Sequence, residues 1–348
     1  MQVSSTSIFE KIVVLGTGGT IAGTAASSSD NIGYTAAQVG VARLLEAIPG
    51  LSSVLAGRVL VTEQVAQIDS KDMSFSVWQQ LALRVSFHLA QADVKGIVIT
   101  HGTDTLEETA YFLHAVLPAS QRASKPVVLT CAMRPASSLT PDGPQNVMDA
   151  VAVAISAGAC GVVAVCAGTI HGAVEVQKVH PYRLDAFSSG DAGPVGYVEE
   201  GCVRLVRNWP SGPAEYAQTA MKKIADVCDW PRVEIVMNYA GASGALVDAL
   251  LSQDGAPHGP VSSLVRGLIV AATGNGTVHQ DLEAALLRAQ AAGVKVVLAT
   301  RCMNGRLLPA PSATFPDSQG LSPVKARVAL MLALLQSHHH DGAAGLRD

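Results

Sequence analysis

The alternation of short apolar runs with longer amphipathic segments predicts an α/β protein. Several apolar runs have the length and composition of buried strands: Lys11–Leu15, Val59–Glu63, Gly96–Thr100, Pro126–Cys131, Gly161–Ala167, Val233–Tyr239, Gly267–Ala271 and Lys295–Ala299. Helical periodicity lies between many of these runs, at Val39–Ala47, Asp72–Ala92, Leu106–Leu117, Asn146–Ala157, Ala245–Leu251, Gln280–Ala291 and Pro323–Leu335. Because strands and helices alternate, we expect a parallel sheet covered by helices on both faces.

A break in the pattern predicts two domains. The stretch RNWPSGPAEYAQ, which begins at Arg207, carries two prolines and a glycine and fits neither period. A second strand–helix series starts at Val233. We therefore expect a larger N-terminal α/β domain with a parallel sheet at residues 1–207, a linker at 208–230, and a smaller C-terminal α/β domain at 231–348. A chain of 348 residues is long enough for two such domains.

Composition and charge exclude several classes of protein. Hydrophobic residues make up 49% of the chain and charged residues 15%, so a large buried core is expected. The net charge of −4 gives no reason to expect a nucleic acid partner. No uncharged apolar run reaches about 18 residues, so no membrane span is expected. The first ten residues lack the pattern of a secretory signal, which favours a cytoplasmic protein.

The cysteines and histidines predict no metal site. None of the six cysteines forms a C-x-x-C pair or has a histidine at metal-ligand spacing, so we interpret them as reduced and mostly buried thiols. The run His338–His340 could bind a metal, but the residues after it have no helical pattern. We assign that run to a frayed tail.

The glycine-rich stretch VLGTGGTIAG, Val14 to Gly23, follows the first predicted strand and raises two hypotheses. A dinucleotide loop would need a third glycine where Ile21 stands, and a helix directly after it. The following residues, TAASSSDNIGYT, are instead small and polar, which is typical of a mobile loop. No G-K-[ST] motif occurs, so a phosphate loop is not expected.

The second hypothesis makes Thr20 a nucleophile. A threonine hydroxyl needs a basic or hydrogen-bonding partner to react, and Tyr34 at the far end of the polar loop could reach it. A second cluster, THGTDTLEETA, places Thr103 and Asp104 at another predicted strand end. Thr105 is expected to cap the helix that follows. Because ligands bind at the carboxyl ends of parallel strands, the two clusters are expected to share one site.

These clusters resemble the bacterial L-asparaginase and glutaminase-asparaginase family. The resemblance rests first on TGGTIAG at Thr17–Gly23 and THGTDTLEETAYF at Thr100–Phe112. Further similar motifs follow in the family's order: IDSKDM, AMRP with DGP, GPVGYV, NYAGAS and KARV. The motifs cover nearly the whole chain, from residue 11 to about residue 336. The resemblance implies a two-domain α/β fold and a homodimer or homotetramer with active sites at subunit interfaces.

The resemblance also implies roles for individual residues. Thr20 matches the family's nucleophile, and Tyr34 matches its activating partner on a loop that closes over the substrate. Thr103 matches the second catalytic threonine, and Lys178 matches the lysine that hydrogen-bonds it. The substrate's α-carboxylate is matched to Ser70 and its α-ammonium to Asp104. The expected catalytic residues are Thr20, Tyr34, Thr103, Asp104 and Lys178; the expected substrate-binding residues are Asp69, Ser70, Lys71, Gly102, Thr103 and Asp104.

Four positions depart from the family pattern or compete with it. Lys71 replaces a glutamine beside the expected ammonium site, so either Asp69 or Asp72 neutralises it or it points away. Gly241 replaces an asparagine that reaches the neighbouring subunit's site, which leaves the choice between asparagine and glutamine open. Ala173 stands where an arginine is frequent. His171 could act as a base, although a loop histidine satisfied by its neighbours is the simpler interpretation.

The leading hypothesis is hydrolysis of L-asparagine to L-aspartate and ammonia through a threonine acyl-enzyme, without metal or cofactor. L-Glutamine is a possible second substrate. The alternatives are a glutaminase-asparaginase of broad specificity, a non-catalytic amino-acid-binding protein, and a hydrolase with an N-terminal threonine. The glutamine-hydrolysing subunit of a tRNA-dependent amidotransferase would carry an additional domain before Lys11, for which the sequence offers no room.

Overall fold

The structure is a computed structural model that describes residues 9–210, 217–252, 264–308, 311 and 313–337. The chain divides into two compact units, Met1–Ala217 and Gln218–Asp348. The division lies inside the segment 208–230 that was expected to be a linker, and a helix begins at Ala217 within that segment. The histidines His338–His340 lie outside the described residues.

The N-terminal unit is built on an eight-stranded sheet in the order β10-β9-β6-β5-β4-β3-β1-β2. Two further short strands, β7 and β8, pair as a separate antiparallel hairpin. The strands of this unit are β1 Lys11–Gly18, β2 Val59–Ile68, β3 Val94–Thr100, β4 Pro126–Thr130, β5 Gly161–Cys166, β6 Thr169–Gly172, β7 Gln177–Lys178, β8 Phe187–Ser188, β9 Gly196–Glu199 and β10 Cys202–Leu205.

The expected parallel sheet is confirmed for β1 to β5, which pair in parallel. It is wrong for the far edge, because β6, β9 and β10 add to the sheet in antiparallel pairs. These three strands are only four residues long and contain polar residues and glycine, so they lack the apolar runs of buried parallel strands.

Helices cover both faces of the parallel strands. Alternate residues of β1, such as Ile12 and Val14, pack in one buried cluster with α1, α2 and α6, and α3 and α4 contact the sheet as well. Trp78 of α3 stacks on Phe112 of α4 with 4.9 Å between ring centroids. The helices of this unit are α1 Val41–Glu46, α2 Leu51–Val54, α3 Phe75–Leu89, α4 Leu106–Val116, α5 Ala119–Ser124 and α6 Gly143–Ile155.

The C-terminal unit contains a parallel three-stranded sheet, in the order β11-β12-β13. Helices α8 and α9 contact one another, α9 contacts β13, and α10 contacts all three strands. The strands are β11 Arg232–Met237, β12 Val265–Ala272 and β13 Lys295–Thr300; the helices are α7 Ala217–Asp226, α8 Ala245–Leu251, α9 Gln280–Ala291 and α10 Pro323–Ser337. Two α/β units of unequal size therefore confirm the predicted fold class.

The cysteines are free, as expected, but the prediction that they are mostly buried is wrong. Cys202, Cys228 and Cys302 are exposed, while Cys131 and Cys166 are buried at the ends of adjacent strands with 3.4 Å between their sulfur atoms. Cys202 begins the largely exposed edge strand β10, Cys228 follows the end of α7, and Cys302 follows the end of β13. At such positions apolar neighbours in the sequence do not indicate burial. None of the described helices has the length and hydropathy needed to cross a bilayer.

Two histidines, the buried His101 and the half-buried His114, make stability depend on pH. Burial lowers the pKa of His101 to about 4, and burial together with the Arg122 guanidinium lowers the pKa of His114 to about 4. The unfolded chain, in which a histidine pKa is near 6.5, therefore binds protons before the folded chain does as the pH falls. Above the unfolded pKa of about 6.5, protonation of these histidines does not lower the free energy of unfolding. As the pH falls from about 6.5 to about 4, that free energy decreases.

We predict that His101 and His114 each cost the folded state about 2 kcal/mol when the pH is lowered from 7.5 to 5. Replacing His114 with asparagine should remove its share, so the variant should lose less unfolding free energy than the wild type over that interval. Urea unfolding at both pH values measures the difference. Identical losses in the two proteins would contradict the assignment.

Candidate active site

The candidate site forms where the carboxyl ends of β1 and β3 lie side by side. Gly16 pairs with Thr100 in the sheet, so the residues after each strand emerge next to each other. The backbones of Gly19 and Gly102 are in close contact, because a Cβ added to Gly19 would lie 2.3 Å from the Cα of Gly102. Gly19 also has a φ of +82°, which favours glycine. Thr20 and Thr103 each follow one member of this touching pair.

Ser70 enters the same space from β2, on the other side of β1. The Gly19 N–H donates to the carbonyl of Ile68 at the end of β2, over 2.9 Å. The Ser70 Oγ accepts a hydrogen bond from the Asp104 N–H at 3.2 Å, and a Cβ on Gly102 would lie 2.4 Å from that oxygen. Three segments far apart in sequence thus meet at one edge of the sheet.

The Thr20 hydroxyl has a direct partner. Its Oγ1 lies 2.7 Å from the phenol oxygen of Tyr34. Thr20 stands in a short 3-10 helix, Thr20–Ala22, and is buried, while Tyr34 is half-buried. The polar loop between them has no helix, and an antiparallel bridge between Thr24 and Thr35 closes its base. The structure thus places the Tyr34 phenol within hydrogen-bond distance of the Thr20 hydroxyl.

Thr103 has a charged partner instead. The Lys178 Nζ donates to the Thr103 Oγ1 at 2.8 Å and to the Asp104 Oδ1 at 2.7 Å. Lys178 lies in β7, whose hairpin with β8 pairs it with Phe187. The Lys178 side chain is 17% exposed and the Asp104 side chain 53% exposed. The ion pair thus extends from the buried threonine to solvent, with the Asp104 carboxylate at the open end.

Lys71 is neutralised by its neighbours. Its Nζ lies 2.9 Å from the Asp69 Oδ2 and 3.1 Å from the Asp72 Oδ2, and its side chain is 61% exposed. The hydrogen bond that Lys71 donates to Asp69 is the main cause of a raised pKa at Lys71, so the amine stays charged. Of the alternatives considered from the sequence, neutralisation by both Asp69 and Asp72 describes this residue.

Several residues at this edge of the sheet make hydrogen bonds that the sequence did not indicate. Thr105 stands at the N-cap of α4, but its hydroxyl makes no capping bond; it donates to the Ser70 carbonyl at 2.8 Å. The expected capping role is therefore wrong. The Thr17 hydroxyl donates to the Thr100 carbonyl at 3.0 Å, which joins the ends of β1 and β3 a second time. His101, fully buried, lies 2.7 Å from the Gly102 carbonyl through Nδ1.

Three further positions were singled out from the sequence: His171, Ala173 and Gly241. His171 is buried on β6, rather than in a loop, and its Nδ1 lies 2.8 Å from the Ser189 Oγ, so its expected satisfaction by neighbours is confirmed. Ala173 is buried after β6. Gly241, in the C-terminal unit, has a φ of +75° with open space where a Cβ would stand. Among the residues that the structure describes, no three histidine, cysteine, aspartate or glutamate side chains are grouped to hold a metal ion.

Comparison with known proteins agrees with this arrangement. Residues 11–211 match the family model described as "Asparaginase, N-terminal", and residues 232–344 match "Glutaminase/Asparaginase C-terminal domain". The chain belongs to the asparaginase family. Among its relatives are L-asparaginase 2 of Escherichia coli (strain K12), 35% identical over 94% of this chain and 89% of that protein, and the glutaminase-asparaginase of Pseudomonas fluorescens biotype A, 35% identical over 97% and 89%.

A solved asparaginase has a similar fold. The structure of a probable cytoplasmic L-asparaginase from Campylobacter jejuni superposes with a TM-score of 0.83 and is 34% identical. The match covers 94% of this chain and 96% of that one. The two-domain asparaginase fold expected from the motifs is therefore confirmed along nearly the whole chain.

The contact between Gly19 and Gly102 leads to a prediction about stability. Replacing Gly19 with alanine should lower the free energy of unfolding by more than backbone strain alone, because the new methyl group meets the backbone of Gly102. Gly193 is a matched control, since it has a similar backbone conformation, φ +67° and ψ 172°, and open space around it. Gly193→Ala should cost about 1–3 kcal/mol. Equal losses in urea unfolding would show that the contact is looser than described.

Proposed function

We propose that this asparaginase-family protein hydrolyses the side-chain amide of L-asparagine to L-aspartate and ammonia, with Thr20 as nucleophile. The observation that supports the proposal is that two threonines follow a pair of touching glycines at one sheet edge. Each hydroxyl has its own polar partner: Thr20 has Tyr34, and Thr103 has Lys178. Splitting amide hydrolysis into formation and breakdown of an acyl-enzyme makes each step easier than direct attack by water.

In the first step the Thr20 Oγ1 attacks the amide carbon while its proton passes to the phenol oxygen of Tyr34, which gives up its own proton at the same time. That proton is delivered to the amide nitrogen, the C–N bond breaks, and the nitrogen leaves as ammonia. The product is a β-aspartyl ester on Thr20. In the second step a water molecule attacks the ester, restores the Thr20 hydroxyl and releases L-aspartate. The 2.7 Å separation of the two oxygens supports a direct proton transfer.

We assign the Thr103 hydroxyl to proton transfer beside the reacting carbon. Lys178 donates to the Thr103 Oγ1, and the Thr103 hydroxyl in turn donates to the Asp104 Oδ1 over 3.5 Å. That second bond is long, so the substrate or the attacking water can replace it as the acceptor. The positive charge of Lys178 also favours any negative charge that develops on this oxygen. Backbone N–H groups near Thr20 and Thr103 are proposed to receive the oxyanion, where loss of one donor typically costs about 2.7–4 kcal/mol.

The substrate's two charged groups have separate partners in this proposal. The Asp104 carboxylate, whose Oδ1 is bound by Lys178, is half-exposed and suited to an α-ammonium group. Ser70 is assigned to the α-carboxylate, with Asp69, Lys71 and Gly102 around the same pocket. Neither a metal nor an organic cofactor takes part in any step.

Specificity, assembly and location complete the proposal. L-Glutamine is assigned as a second substrate, since one similar relative is named a glutaminase-asparaginase. A homodimer or homotetramer with the active site at the subunit interface follows from the family resemblance. A cytoplasmic location is supported by the similar protein from Campylobacter jejuni, which is described as cytoplasmic. A binding protein without catalysis is less favoured, because binding alone needs neither paired threonines nor Lys178.

We predict that Thr20→Ala lowers kcat for ammonia release from L-asparagine by more than about 10³-fold, since no hydroxyl remains to form the ester. Binding of L-aspartate, measured by calorimetry, should persist. Thr62→Ala, an exposed threonine on β2, serves as control and should keep wild-type rates. Initial rates on L-glutamine, measured in parallel, give the substrate preference. Undiminished ammonia release by Thr20→Ala would overturn the proposed nucleophile.

The pairing of Lys71 predicts a small effect when its charge is removed. Because Asp69 and Asp72 already neutralise it, Lys71→Gln should change kcat/KM for L-asparagine by less than about threefold. Lys95→Gln is the control, since Lys95 is an exposed lysine near a carboxylate of Glu10. A gain of more than about tenfold in Lys71→Gln would show instead that the lysine repels the substrate's ammonium group.

A further inference from the structure

The polar loop that carries Tyr34 lies against a second loop. We name residues 23–35 the Tyr34 segment and residues 133–142 the clamp segment. Four hydrogen bonds join them, two of which involve serine hydroxyls of the clamp: Ala136 N–H to Gly23 O (2.9 Å), Ala25 N–H to Ser137 Oγ (2.8 Å), Leu139 N–H to Ser28 O (3.0 Å) and Ser138 Oγ–H to Asn31 Oδ1 (2.8 Å). These bonds are distributed along the Tyr34 segment rather than gathered at one end.

The clamp segment is itself fixed to the sheet. The Asp142 carboxylate accepts hydrogen bonds from the N–H groups of Met133 and Arg134, at 2.9 and 3.0 Å. The buried Asn146 amide donates to the Cys131 carbonyl, just after β4, and more weakly to Asp142. The Arg134 guanidinium closes the loop by binding the Thr140 carbonyl. The clamp segment is thus tied at both ends to β4 and α6.

The bonds within the Tyr34 segment are mostly local, such as the one from the Asp30 N–H to the Ser27 carbonyl at 3.0 Å. The Asp30 carboxylate accepts from the N–H groups of Ile32 and Gly33, and the Thr24–Thr35 bridge closes the base. The residues between are small and polar and offer little apolar area to bury. Tyr34 also lies close to Gly23, since a Cβ there would be 2.9 Å from the ring. The bonds to the clamp segment therefore tie the middle of this loop to the connection between β4 and α6.

We propose that the clamp segment, through the hydroxyls of Ser137 and Ser138, holds Tyr34 within hydrogen-bond reach of Thr20. Both serines are positioning residues, because they bind the loop and neither touches Thr20 nor Tyr34. Ser137 satisfies the Ala25 N–H near the start of the loop, and Ser138 holds Asn31 three residues before Tyr34. The proposal deepens the proposed function, on which it rests for the catalytic role of Tyr34.

Hydrogen exchange of the Tyr34 segment tests the clamp without reference to catalysis. In Ser137→Ala/Ser138→Ala, the amides of residues 24–35 should exchange about tenfold faster than in the wild type, while exchange in the parallel strands stays unchanged. Ser137→Thr keeps the hydroxyl that accepts from the Ala25 N–H, so exchange at Ala25 should stay as slow in that variant as in the wild type. Ser52→Ala, an exposed serine on α2, should show wild-type exchange. Unchanged exchange at residues 24–35 in the double variant would overturn the clamp.

A mutant cycle tests whether the clamp acts through Tyr34. The double serine variant should lower kcat for L-asparagine by about tenfold with a smaller change in KM, because the hydroxyl partner of Thr20 is less often in place. In a Tyr34→Phe background the same substitutions should cause little further loss. Independent, multiplicative losses would overturn positioning through Tyr34. If no variant hydrolyses the amide, the proposed function fails, and the exchange experiment still decides the clamp.

Discussion

The backbone contact between Gly19 and Gly102 is the constraint on which the site depends. Two parallel strands that are neighbours in a sheet bring their carboxyl ends together, but ordinary side chains would keep the following segments apart. Here both residues lack a Cβ, and the segments touch. Thr20 and Thr103 each follow one of these two glycines, and the Ser70 hydroxyl, which enters from β2, lies beside Gly102. Because β1 lies between β2 and β3, the polar residues that follow these three strands are brought close together.

The two threonines have chemically different partners, which suits different tasks. Thr20 is bonded to the neutral phenol of Tyr34, whose oxygen can either give or take a hydrogen bond. Thr103 accepts from the ammonium group of Lys178, which has only hydrogens to donate. In the proposed reaction the first pair can relay a proton away from the attacking oxygen. The second pair holds a hydroxyl in one orientation beside a fixed positive charge.

The parallel core was predictable because its strands are buried on both sides and read as continuous apolar runs. Each predicted strand and helix has a counterpart within a few residues of its expected ends. The elements that escaped prediction carry no such signal: β7 and β8 have two residues each, α2 has four, and β10 is largely exposed. Helix α7 lies where prolines and glycine indicated a linker, because the break precedes the helix rather than spanning it.

The catalytic candidates were recognisable as motifs, whereas the residues that hold them in place were not. Thr105 shows why: the local rule for a threonine before a helix predicts a cap, but its hydroxyl binds Ser70, 35 residues away. Thr17 reaches across 83 residues to Thr100, and Ser137 across 112 residues to Ala25. Such bonds produce no periodic pattern in the sequence, because each joins a side chain to a backbone group that only the fold brings near. The roles of polar loop residues beside a site are therefore set by the strand order rather than by the residues next to them in the sequence.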